Sequence, residues 1–257
     1  MKKTQTNKLR FFLFFVIQMC LFLFNVSCGL DTFEVIEEPF EIIKRPEFND
    51  IDEVQVLENK YFEFYTNETG TYSEITFLGT EIYYKIYNDY NAMKSERSSL
   101  ITASESTSTS ATASQSLLNS YKKLRIGVDA TSSVDLLVPK SSVNQKVYIR
   151  LTDGGSDGYE ACVKVNGNYL KGTLEASRPV RALEKPYTFN FGRTGDNDKI
   201  PDEQDNDLKY TTAPSKADTY YVCLFAVGTG VDVYWTPQYS NILYLGTVTI
   251  NSKEENN

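Results

Sequence analysis

The stretch Thr219-Tyr220-Tyr221-Val222-Cys223-Leu224-Phe225-Ala226-Val227 sets the fold class of this 257-residue chain. It is rich in aromatic and β-branched residues and free of Gly and Pro, the composition of a strand. Side chains alternate across a strand, so Tyr220, Val222, Leu224 and Ala226 share one face and Cys223 falls on the other. A second strand is predicted over 241–250, with Gly228, Gly230 and Pro237 between the two.

Working outward, further strand signals recur between turns. They lie at 72–77 and 81–87, parted by Gly79-Thr80, and again at 134–138, 146–151 and 187–191. Residues 159–174 read as a hairpin with Asn166-Gly167 at its tip. Many short strands with few helical patterns indicate an all-β, antiparallel sandwich, predicted to span 51–250. One insertion interrupts it at about 88–125. Asn88 or Asp89 could cap a helix there, followed by Tyr90, Met93, Arg97 and Leu100 at helical spacing. A Ser/Thr-rich run from Ser98 to Ser116 follows. It holds almost no large apolar residue after Ile101, and so cannot bury a core face of its own. Leu117, Tyr121 and Leu124 then predict a second short helix. Residues 251–257 form a polar tail.

The 220–227 pattern resembles the sixth strand of fibronectin type III domains, an immunoglobulin-like fold. The resemblance gives Tyr220 the role of the corner tyrosine whose hydroxyl bonds to the backbone. Tyr239-Ser240 and the strand after it are similar to that family's last strand, and 81–87 to its third. The chain departs from the family in two ways. Its only tryptophan, Trp235, lies near the end, and residues 88–218 far exceed the family's connections.

The other end of the chain is read as an address. Lys2, Lys3, Lys8 and Arg10 precede an apolar run, 11–24, too short to span a bilayer. Asn25-Val26-Ser27-Cys28 then resembles the lipobox of bacterial lipoproteins, in the relaxed form found in spirochaetes, with Asn25 where Leu is usual. The resemblance implies that residues 1–27 are a signal peptide and that Cys28 is acylated. It places the protein on the outer membrane, facing the periplasm or the cell surface. Several acyl chains make a stable anchor. Residues 28–50 read as an acidic tether, although apolar residues such as Phe33, Ile36 and Phe40 suit an edge segment lying along the domain.

Charge narrows the function. The full chain has 26 basic and 34 acidic residues, and loss of the four basic residues of the signal leaves a net charge of −12. Such a surface disfavours nucleic acid and anionic lipid headgroups. The absence of histidine removes Ser-His-Asp and Cys-His catalysis. No catalytic motif is present, and the expectation is a non-enzymatic binding or adhesion module with a protein or glycan partner. A hydrolase using paired carboxylates, or its accessory sugar-binding domain, is the rival; a structural envelope component is a third reading. Tyr83, Tyr87, Tyr234, Trp235 and Tyr239, if exposed, could stack on sugar rings or anchor a protein partner; packing between strands is the other reading of such tyrosines.

Two constellations remain. Asp196, Asp198, Asp202 and Asp205 resemble the acidic positions of a thrombospondin type 3 calcium repeat, with Ile200-Pro201 in place. Thr194 and Lys199 stand where that repeat has Asp and Gly. A calcium site and a solvated acidic loop both fit, and no other cofactor is expected. Cys162 and Cys223 lie in predicted strands, both pointing away from the main core face. They fit a disulfide or two free thiols equally.

Overall fold

A computed structural model describes residues 35–183, 191 and 201–251, apart from 49, 52, 54, 107–109, 130–131 and 154–157. Cys28, Asp196 and Asp198 lie outside the described residues. The fold is mostly β-strands in antiparallel sheets, with two α-helices among the described residues. Neither helix is long and apolar enough to cross a membrane.

The larger sheet is built on three long strands, β3 (Ile75–Tyr87), β13 (Thr219–Asp232) and β14 (Pro237–Asn251). β13 pairs antiparallel with both others. The free edge of β3 is closed in relay by β7 (Leu137–Pro139), β4 (Lys122–Lys123) and β12 (Leu208–Lys209), the last running parallel. The second sheet runs β1 (Phe40–Lys44), β2 (Phe62–Tyr65), β8 (Lys146–Arg150), β9 (Cys162–Val165) and β10 (Asn168–Tyr169). A small third sheet holds β11 (Pro179–Val180), β5 (Arg125–Asp129) and β6 (Ser132–Asp135).

The two main sheets share one core, which makes the arrangement sandwich-like. Phe62, Phe64, Val147, Ile149 and Val163 from the second sheet meet Ile82, Tyr84, Ile86, Val222, Leu224 and Ala226 from the first. Each set takes alternate positions, as a half-buried strand requires.

Several expectations need correction. Of the two readings of 28–50, the edge segment holds for residues 35–48 in place of the tether: β1 is the edge strand beside β2, and Ile36 and Phe48 are buried. Apolar side chains of this size gain roughly 1.5–3 kcal/mol each from burial, which a free spacer would forgo. Gly79 does not end a strand. It sits in a bulge within β3, at φ 145, where a Cβ would come within 2.1 Å of the Val138 carbonyl oxygen. Gly228 and Gly230 lie inside β13 and Pro237 opens β14, so the turn is shorter than the sequence suggests.

The insertion is helical over more of its Ser/Thr-rich run than expected. α1 (Tyr90–Glu105) starts at Asp89, whose carboxylate accepts from Ala92 N at 2.7 Å. α2 (Ser110–Ser120) stops before Tyr121, and Leu124 enters the main core beyond it. Both helices lie on the outer face of the larger sheet. Tyr90, Met93, Leu100, Ala113 and Leu117 meet Tyr83, Tyr87, Tyr221, Cys223, Phe225 and Tyr244 there. The sheet contributes most of the bulk, so helices poor in large apolar residues still bury a face. Ser114 is among the small residues that approach, and its hydroxyl donates to Ser240 O at 2.8 Å.

Candidate functional site

The two helices pack on the larger sheet and leave the outer face of the second sheet without a helical layer; it is buried only around Arg150 and Cys162. Alternation in 61–65 and 146–150 sends Phe62, Phe64, Val147 and Ile149 inward. It sends Tyr61, Glu63, Tyr148 and Arg150 outward. Tyr61 and Tyr148 stack at 5.1 Å between ring centroids and are half-buried. Lys44 Nζ lies 5.8 Å from the Tyr61 ring, and Lys164 Nζ lies 4.8 Å from Tyr169. Tyr169 donates its hydroxyl to Glu160 at 3.0 Å, and Lys146 pairs with Glu63 at 2.8 Å. The result is an aromatic platform bordered by charges of both signs.

Arg150 braces this platform from the same face of the sheet. It is only 2% exposed, yet its charge is held by carbonyls and ring faces. Nε donates to Tyr148 Oη at 2.9 Å, Nη1 to Leu57 O at 2.8 Å and Nη2 to Glu58 O at 2.9 Å. The guanidinium carbon lies 4.6 Å from the Tyr159 ring and 5.5 Å from the Tyr61 ring. A planar fork with donors on three nitrogens can clamp a 3-10 turn (Leu57–Asn59) to a strand, which a lysine could not do.

A second polar assembly is closed to solvent. Arg181 donates through Nε and Nη2 to both oxygens of Asp207, at 2.9 and 2.5 Å, and through Nη2 to Asp205 at 2.9 Å. Tyr84 donates to Asp207 at 2.6 Å and accepts from Ala182 N at 2.6 Å. Burial opposes the charge on Arg181, but the Asp207 hydrogen bonds and charge hold its pKa above the ordinary value. Burial, then the Asp207 charge, pushes the Tyr84 phenol well up. The unit ties β3 and β11 to the segment before β12. It leaves Arg181 Nη1 without a hydrogen-bond partner among the described residues.

The sequence-predicted sites fare unevenly. Of the calcium candidates, Asp205 turns its carboxylate to Arg181 and also accepts from Asp202 N at 2.8 Å. Asp202 is exposed and accepts from Gln204 N. Among the described residues no three Cys, Asp or Glu side chains are arranged to hold a metal ion. The disulfide is not formed: Cys162 and Cys223 are both free and buried. They point away from the shared core, as expected, but on opposite outer sides of the sandwich. Packed sheets stand about 10 Å apart, beyond the roughly 7 Å a disulfide spans between Cα atoms. Burial pushes both thiols up, Cys223 to about 12. Tyr83 and Tyr87, expected among the exposed aromatics, are buried beneath the helices, and Tyr239 is half-buried. Tyr234 and Trp235 are exposed.

The sequence reading missed Tyr61, Tyr148 and Arg150. The signal was present in the alternation of Tyr-Phe-Glu-Phe-Tyr at 61–65 and Lys-Val-Tyr-Ile-Arg at 146–150, where one face is apolar and the other aromatic and charged. The Arg150 clamp had none, because Leu57 and Glu58 lie some ninety residues away in sequence. No family model, curated protein or solved structure matches this chain.

Proposed function

We propose that this chain is a lipid-anchored, non-enzymatic binding module, held on the outer membrane through Cys28. It presents the open face of its second sheet to a protein or glycan partner outside the cell. The observation that carries the reading is the stacked, half-buried Tyr61–Tyr148 pair on a sheet face that the helices leave open. Aromatic rings offer large contact area at small entropic cost, and rings fixed in advance cost less to immobilise. Arg150 supplies that fixing. The bordering Lys44, Lys164, Glu63 and Glu160 suit a polar rim.

We infer further that the fold is fibronectin type III-like. Support comes from the three strands that resemble that family's third, sixth and last strands: β3, β13 and β14 lie side by side and antiparallel.

The test is cross-linking on intact cells followed by identification of the captured species, run beside a glycan array. The expected result is a discrete partner lost on Tyr61→Ala/Tyr148→Ala, with binding down by tenfold or more, the scale of a typical hot-spot pair. A partner retained by that double variant would place recognition elsewhere. Turnover of a glycoside, abolished by changing one carboxylate, would remove the module reading altogether.

A further inference from the structure

We propose that the end of the sandwich bearing the β13–β14 turn rests on a zwitterionic lipid bilayer, with Tyr234 and Trp235 seated at headgroup level. This rests on the Cys28 anchor proposed above and adds the orientation of the domain on that membrane.

The turn itself is a rigid aromatic tip. Asp232 accepts through its carboxylate from Tyr234 N and Thr236 N, both at 2.8 Å, and from Gln238 at 3.2 Å. Its own N–H donates to Thr236 O, and Trp235 N donates back to Asp232 O, each at 3.0 Å. Held this way, Tyr234 is 85% and Trp235 81% exposed, beside exposed Val233. Trp235 adopts φ 65, a conformation that glycine takes without strain. The fold draws almost no packing from an indole so placed. Tryptophan and tyrosine concentrate where one end of a ring is apolar and the other wet, as at a membrane–water boundary.

The chain also enters the domain at this end. Ile36 lies so close to β13 that a Cβ on Gly228 would come within 2.8 Å of its Cγ2, and one on Gly230 within 3.0 Å of its Cδ1. Gly230 is two residues from Asp232, where the tip begins. Six residues, 29–34, separate Cys28 from Val35, seven steps of chain with a reach of at most about 25 Å. An anchor on so short a leash keeps this end of the domain near the lipid. Other exposed apolar side chains share the end. Gly79 pairs with both Thr229 and Pro139, and Lys140 N donates to Leu78 O. That brings exposed Leu78, and Val143 in the loop after β7, to the same side as the tip. Of the charges here, Glu37, Glu38 and Asp232 outnumber Lys140, and the net negative charge would be repelled by anionic headgroups, which selects a zwitterionic surface.

Trp235 is the only tryptophan, so its fluorescence reports on the tip alone. The full acylated chain is reconstituted into phosphatidylcholine vesicles and challenged with aqueous iodide and with brominated phosphatidylcholine. Relative to Cys28→Ala in buffer, the emission is expected to shift to shorter wavelength. Iodide quenching should fall several-fold and brominated lipid should quench. Val233→Ser/Tyr234→Ser, at exposed positions, should lose much of the lipid quenching while still floating with the vesicles. A chain that floats while Trp235 stays open to iodide and untouched by brominated lipid overturns the orientation and leaves the anchor standing. Wild type that fails to float, like Cys28→Ala, overturns the anchor and the orientation with it.

Discussion

The two outer faces of the sandwich carry similar residues and meet different fates. On the larger sheet Tyr83, Tyr87, Tyr221 and Cys223 point outward and are sealed under α1 and α2. On the second sheet Tyr61, Tyr148 and Cys162 also point outward; Cys162 is buried, but the tyrosines are only half-buried and no helix seals them. Strand alternation treats both faces alike. The difference comes from a segment remote in sequence that lies on one of them. Beneath the helices the polar atoms find one another: Tyr87 and Tyr121 share a hydrogen bond at 2.7 Å, and Thr247 Oγ1 bonds both Cys223 Sγ, at 3.1 Å, and Tyr244 Oη, at 2.7 Å. On the open face they meet charges and solvent. A covered tyrosine here is structure, and an uncovered one is available for recognition.

The sharpest break of this contrast is Phe225→Ala. Phe225 is fully buried under the helices, with ring contacts to Tyr121 at 5.4 Å and Tyr244 at 5.2 Å. Its loss is expected to cost about 3–5 kcal/mol in a urea titration. A cost below about 1 kcal/mol would mean that the helices do not seal this face.

Next in size is Arg150→Met, the exception on the open face. It removes charged hydrogen bonds to two carbonyls and a phenol, and about 2 kcal/mol of destabilisation is expected. Partner binding through Tyr61 and Tyr148 should weaken as well, since their support is gone. If stability falls while binding is unchanged, the clamp does not serve the platform.

Alkaline pH probes the covered side. An ordinary thiol titrates near 9.0, and burial raises Cys223 to about 12. Between those values the unfolded chain releases a proton that the folded chain keeps, so stability is full below pH 9 and falls as pH rises toward 12. Burial raises Tyr83, Tyr87 and Tyr244 in the same direction. The melting temperature should therefore drop progressively above pH 9, and less steeply in Cys223→Ala. An equal slope in that variant would show that the thiol does not contribute.

The smallest expected effect is Tyr148→Ala. Its half-buried ring loses one stacking partner and one hydrogen bond, worth about 1 kcal/mol. Thermal melting should change little while binding of the cross-linked partner falls markedly. A stability loss as large as that of Phe225→Ala would show that the platform is core.

Much of the scaffold was legible in the residues. The 219–227 and 241–250 alternations mark the two longest strands, and Asn166-Gly167 marks a hairpin whose turn residues take φ 52 and 82. Asp89 was legible as a helix cap, since one oxygen accepting one N–H is a local event. Tyr121 and Leu124 were misjudged because spacing of four and three suits a helix, whereas Leu124 N is claimed by Ile82 O across the sheet. The edge segment was legible in the apolar residues among 33–43, while Pro39, Pro46 and the acids kept it from reading as a regular strand; it needs only one partner, β2.

What the sequence determined by itself is everything that repeats within a few residues: strands, turns, caps, net charge and the lack of histidine. These depend on backbone sterics and side-chain period, which act locally. The tertiary structure alone decided which outward face was covered, why two cysteines with the same orientation lie too far apart to bridge, and where Arg150 and Arg181 find their partners. Those outcomes depend on which layer packs on which, and burial is set by chain segments that sequence spacing does not relate.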